Sequence, residues 1–330
     1  MGFETPLAIA QLIIGVLLLF LGAEWLVRGS ATLARTLGVR TLVIGLTVVA
    51  YGTSAPELAV STEAAADHLT PLALGNVIGS CAANISLILG LTALIAPPRV
   101  DGRIIRREVP ILLGSVIAIP VTLYDGVITR LEGGILVGCA VAFTIATLAF
   151  SGSVDASDED SELGQAAADA GAAAVGKKRS QRSRLSALVV AGLGVLLLVL
   201  GSQLFIDGAR GVAGEWGISE RMLGMTIVAL GTSMPELMTS VMAALRGQGA
   251  LAVGSVIGSN LLNVFLVLGT VAYLQPVRVG ERMHIVDAIG LGAITLLAIA
   301  FMRGHRHVSR LEGAILVAAY FVFIIAAAAF

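Results

Sequence analysis

Two glutamates stand alone in long uncharged runs. Glu57 is the only charged residue between Arg40 and Glu63, and Glu236 the only one between Arg221 and Arg246. Each ends a shared pattern, GTSAPE at 52–57 and GTSMPE at 231–236. Helical spacing sets Thr53 and Ser54 one turn before Glu57, and Thr232 and Ser233 one turn before Glu236. Pro56 has no N–H to offer the carbonyl of Gly52, and Pro235 none for Gly231. In hydrocarbon a carbonyl freed in this way persists only where protein, water or an ion satisfies it. Carboxylates, hydroxyls and free carbonyls are all oxygen donors, which hard cations such as Ca²⁺ prefer.

The next apolar segments add neutral donors. GNVIGSCAAN (75–84) and GSVIGSNLLN (254–263) each contain a GxxxG spacing that lets helix backbones approach closely. Ser80 and Asn84 fall one turn apart on one face, as do Ser259 and Asn263. Proline kinks and small-residue packing are ordinary in membrane helices, and Glu57, six residues from Glu63, lies close enough to a polar end to reach it. What separates a site from packing is that the same polar positions occur twice at one offset. Two ionised carboxylates converging from the two segments would repel, and a divalent cation, several sodium ions or protons would relieve them.

These residues must be carried by membrane-spanning elements. Of 330 residues, 57% are hydrophobic and 13% charged, at a mean hydropathy of +0.94, whereas soluble domains carry about 25% charged residues. Apolar runs of bridging length, roughly 20 residues, fall near 7–27, 41–62, 72–96, 104–124, 130–150, 185–206, 222–244, 250–273, 284–302 and 310–329. The fold class expected is an all-α polytopic membrane protein of ten transmembrane helices. With the N-terminus outside, 16 of the 21 Lys and Arg fall on the cytoplasmic side, so both termini are expected to be extracytoplasmic. The first apolar run lacks a basic flank and is expected to be a retained span. Between the fifth and sixth runs lies a polar linker, 151–184, acidic over 155–162 and basic over 177–184, expected to be cytoplasmic.

An offset of 179 aligns 45–90 with 224–269 without a gap, and about half of the positions are identical. At an offset of 180, TRLEGGILVG (129–138) aligns with SRLEGAILVA (309–318). The chain is therefore expected to comprise a first five-helix repeat over 1–150 and a second over 185–330. Because five is odd, the second enters the membrane from the opposite side, the inverted plan common among secondary transporters.

Other chemistry finds little support. Cys81 and Cys139 read as small buried side chains. The acidic run 155–162 lacks the spacing of an EF-hand loop, and no HExxH, GxSxG or phosphate-binding loop occurs. No basic patch interleaved with aromatics suggests nucleic acid, nothing in the sequence signals a protein partner, and no cofactor is expected.

The doubled GTSxPE and GxxIGSxxxN segments resemble the alpha repeats of the cation/calcium exchanger superfamily, most closely the prokaryotic sodium/calcium exchangers. The resemblance covers all ten runs. It implies an antiporter of the cell membrane (plasma or inner) that exchanges Na⁺ for Ca²⁺ by alternating access, about three sodium ions for one calcium, with the first and sixth spans sliding. It also implies principal ligand roles for Glu57 and Glu236. Thr53, Ser54, Ser80 and Asn84 join them, opposite Thr232, Ser233, Ser259 and Asn263, along with the backbone carbonyls of Ala50 and Ala229. Many relatives, including the potassium-dependent exchangers, carry an aspartate where this chain has Asn263. With asparagine there, the expected site has two carboxylates rather than three, which weakens the case for potassium coupling. Proton or potassium coupling of a calcium antiporter remains the alternative, and a cation channel a further one.

Overall fold

The computed structural model describes residues 4–100, 102, 104–150, 177–215, 229–278 and 283–329. In chain order the helices are α1 (Glu4–Leu37), α2 (Thr41–Thr53), α3 (Ala55–Ala66), α4 (Leu72–Ile95), α5 (Val109–Thr122) and α6 (Arg130–Ala149). There follow α7 (Lys177–Glu215), α8 (Ala229–Thr232), α9 (Met234–Leu245), α10 (Gly249–Leu274), α11 (Met283–His305) and α12 (Arg310–Ala329). Seven helices among the described residues are long and apolar enough to cross a membrane, and the bent pair α2–α3 makes an eighth. Of the ten runs, 104–124 appears as a π-turn over Ile104–Glu108 leading into the 14-residue α5. For the run 222–244, residues 222–228 lie outside the described residues, as do 151–176 with their acidic stretch. The basic piece 177–184 lies in the first turns of α7.

The outer surface is apolar, with Leu7, Ile135, Ile145, Val322 and Ile325 facing outward, while buried hydroxyls, carboxamides and carboxylates are set within an apolar core. The apolar stretches of α4 and α10 are 72% and 89% buried, against 28% for α1 and 22% for α12. The two helices carrying the serine–asparagine pairs are thus the central ones. Cys81 is buried, but Cys139 faces outward from α6. An exposed apolar face suits a thiol in a lipid-facing helix, so the expectation of burial there is corrected.

Contacts recur at the sequence offset. Val127 and Ile128 (β1, Val127–Ile128) pair antiparallel with Arg278 and Val277 (β2, Val277–Arg278), and Arg99 bridges His307 in the same sense. Thr129 and Glu132 cap the start of α6 reciprocally, as Ser309 and Glu312 do for α12. Left-handed backbone follows α3 at His68 (φ 61°) and α9 at Gly247 (φ 69°).

Backbone-close glycine contacts dictate the packing of α1 on α7. A Cβ built on Gly22 would lie 2.8 Å from the carbonyl oxygen of Gly194, and one on Gly201 would lie 2.9 Å from that of Gly15. No side chain fits there, so the two helices touch along their backbones. The same closeness joins Gly90 to Gly313 and Gly133 to Gly269, locking α4 to α12 and α6 to α10.

Candidate ion-binding site

Helix breaks place the glutamates. Ser54, at φ −81° and ψ 6°, separates α2 from α3, which diverge by 43°. Ser233, at φ −87° and ψ 2°, separates α8 from α9. Each proline sits in the first turn of the new helix, where a missing N–H costs nothing because no partner exists there. Glu57 and Glu236 occupy the same first turns, close to the positive ends of the two helices. The serine at each break means that Thr53 and Glu57 do not share one unbroken helical face, as the spacing alone implied.

The hydrogen bonds cross between the halves. Ser54 Oγ donates to Glu236 Oε1 (3.3 Å), and Ser233 Oγ donates to Glu57 Oε1 (3.2 Å). Ser233 Oγ also lies 3.3 Å from Ser80 Oγ, and Thr53 Oγ1 lies 3.3 Å from Ser259 Oγ. Each serine therefore serves the opposite glutamate, whereas the sequence had grouped each carboxylate with its own hydroxyls. Cys81 and Asn260, which correspond at the offset, meet through Sγ and the Asn260 carbonyl at 3.8 Å.

Burial is nearly complete. Glu57 is 1% exposed and Glu236 0%, and Thr53, Ser54, Ser80, Asn84, Thr232, Ser233, Ser259 and Asn263 are all buried. The two carboxylates are close enough to act on each other electrostatically, and no ion pair reaches either among the described residues. A buried carboxylate without a counter-charge is costly. Glu57 Oε2, Glu236 Oε2 and the whole carboxamides of Asn84 and Asn263 have no hydrogen-bond partner among the described residues. Two carboxylate oxygens and two carboxamide oxygens are thus buried without a partner there, and these are the donor types a hard cation takes.

The backbone carbonyls differ. That of Ala50 accepts from Ser54 N–H at 3.0 Å and from Thr53 Oγ1 at 3.4 Å. That of Gly231, freed by Pro235, is capped by Ser202 Oγ of α7 at 2.6 Å. The corresponding position in α1 is Ala23, which has no hydroxyl to offer Gly52. The role of Ser202 escaped the sequence because it lies outside both motifs; its only signal was a lone hydroxyl beside a glycine in an apolar helix. Among the described residues, no three His, Cys, Asp or Glu side chains gather at one point, so acidic clustering alone would have overlooked the site.

The family model for the sodium/calcium exchanger protein matches residues 7–149 and 186–329. A "Putative antiporter CaxA" of Alkalimonas amylolytica is 34% identical over 311 residues, covering 93% of this chain and 94% of that protein. The "Sodium/calcium exchanger MaX1" of Methanosarcina acetivorans is 33% identical, covering 95% and 96%. Among solved structures, the sodium-calcium exchanger NCX_Mj, soaked with Na⁺, superposes with a TM-score of 0.82 at 31% identity, covering 97% of this chain and 99% of that one.

Proposed function

The chain belongs to the sodium/calcium exchanger protein family, and we propose that it is a secondary antiporter that exchanges Na⁺ for Ca²⁺ by alternating access. It is a transporter, not an enzyme. The observation that carries this reading is the crossed pair of serine–glutamate hydrogen bonds, with each glutamate keeping one oxygen unpartnered. One Ca²⁺ balances both carboxylates, as two Na⁺ would. Occupancy by one ion type therefore excludes the other on charge alone, and this competition couples their movements. Glu57 and Glu236 supply charge, and Asn84 and Asn263 supply neutral oxygens. Ser54 and Ser233 hold the carboxylates in place, beside Thr53, Thr232, Ser80 and Ser259. The carbonyls of Ala50 and Ala229 complete the proposed shell.

Ten spans in two inverted repeats, over 1–150 and 185–330 with the related segments 45–90 and 224–269, fit the recurrence of contacts at the offset. α5 with its preceding π-turn, and α8 with α9, serve as the remaining two spans. Both termini then lie outside, with the 151–184 segment in the cytoplasm. An inverted pair gives two equivalent arrangements of moving parts around one site, which is what alternating access needs. The glycine-packed pair α1–α7, which makes few bonds to the centre, slides over it.

The test is calcium uptake into proteoliposomes driven by an outward sodium gradient. The proposal predicts uptake that needs internal sodium, persists without potassium and is not driven by a pH gradient alone. Uptake without any counter-ion would indicate a channel, and uptake driven only by the pH gradient would rule out sodium coupling.

A further inference from the structure

Outside the ion site, one carboxylate ties the long helix pair to the centre. Glu24 Oε1 of α1 accepts from Arg246 Nη2 at 2.7 Å and from Arg28 Nη2 at 2.6 Å. Arg246 caps the end of α9, whose first turn holds Glu236. Glu24 is only 19% exposed and Arg246 33%, so water screens the bond less than a fully exposed pair.

The corresponding residues at the offset are Gln203 for Glu24, Asp207 for Arg28 and Asp67 for Arg246. An amide and two carboxylates contain no cation. These three positions therefore cannot form the matching ion pair.

The packing is lopsided in the same way. α7 lies over both helix breaks: Val195 blocks a Cβ on Gly52 at 2.5 Å, and Ile206 blocks one on Gly231. Strict equivalence of the halves would set Val16 of α1 against Gly231, yet Val16 is 44% exposed. The pair α1–α7 thus sits asymmetrically over the centre, with the Glu24–Arg246 ion pair joining α1 to the end of α9 in that position.

We propose that Glu24, Arg28 and Arg246 form a one-sided latch that sets the balance between the two access states. This rests on the antiport reading above. The latch closes the cytoplasmic end, and each exchange cycle breaks and remakes it. With no counterpart at Gln203, Asp207 and Asp67, the resting protein favours the outward-open state. The apparent affinity at the cytoplasmic face is then lowered by the small fraction of protein open to it.

The test uses the full chain in oriented proteoliposomes. E24Q and R246Q should each lower the half-saturating calcium concentration at the cytoplasmic face by about fivefold. At the outer face it should change by less than about twofold, since that state is already dominant. The exchanged pair E24R/R246E should restore the original asymmetry. Equal changes at both faces, or no change at either, would overturn the latch. As a second arm, E24C/R246C in a C139S background should lose exchange on oxidation and recover it on reduction. Undiminished exchange by a fully crosslinked protein would also overturn it. Failure of the unsubstituted protein to couple calcium to sodium would be a separate result, refuting the antiport reading itself and with it the latch.

Discussion

Replacing Glu236 by glutamine removes one of the two charges at the site while preserving shape. The amide oxygen of the substituted side chain can still accept the bond that Ser54 donates to Oε1 at 3.3 Å. The change falls on Oε2, which has no partner among the described residues and would become an amide N–H₂ facing the cation. Losing one partner from a buried, hydrogen-bonded charge pair costs about 2–5 kcal/mol. At about 1.4 kcal/mol per factor of ten, that raises the half-saturating calcium concentration by at least about 30-fold, and at the upper end by several thousand-fold. Glu57→Gln should behave alike, because the site is nearly symmetric about the crossed serine bonds. The assay is sodium-driven ⁴⁵Ca²⁺ uptake across a calcium series, with calcium-dependent thermal stabilisation of the purified protein as a measure of binding. A half-saturating concentration within about threefold of the unsubstituted protein would refute the reasoning, since a ligand worth about 2 kcal/mol cannot be lost so cheaply.

Other substitutions probe the surroundings. Gly194→Val puts a Cβ 2.5 Å from the Leu26 backbone nitrogen. It should lower thermal stability by about 1–3 kcal/mol and slow exchange, measured by melting in detergent and by flux. Ser202→Ala leaves the Gly231 carbonyl without its 2.6 Å donor, a loss of about 1–3 kcal/mol. It should change the exchange rate more than the calcium half-saturation, compared in one flux series. Asn263→Asp adds a third carboxylate where an unpartnered amide now stands. It should tighten calcium binding and slow turnover, seen as a lower half-saturation and a lower maximal flux.

Much of the site was legible because its residues are chemically out of place. Glu57 and Glu236 are isolated charges in apolar runs, and the offset of 179 marks their neighbours as a repeated constellation. Ser80, Asn84, Ser259 and Asn263 could be named from helical spacing; all four are buried, and Ser80 and Ser259 lie within 3.3 Å of Ser233 and Thr53 respectively. The exchange of partners between halves was not legible. It depends on Ser54 and Ser233 standing at helix breaks, and spacing assumes an unbroken helix. The π-turns at Ala83–Ile88 and Asn263–Leu268 were hidden for a similar reason, since local composition does not announce a single wide turn. Ser202 and the Glu24–Arg246 bond link segments whose partners are distant in sequence. Such contacts follow from how α1 and α7 lie on the centre, and a glycine pattern shows only that two helices can meet, not what they meet next.

Antiport by this chain requires one cation held jointly by side chains from both halves. Crystals soaked in strontium or barium and measured for anomalous scattering would show where such an ion sits. The expected result is a strong peak within ligand distance of both Glu57 Oε2 and Glu236 Oε2, lost in Glu236→Gln crystals. A peak bound by only one of the two glutamates, or located elsewhere while both stay unliganded, would contradict it.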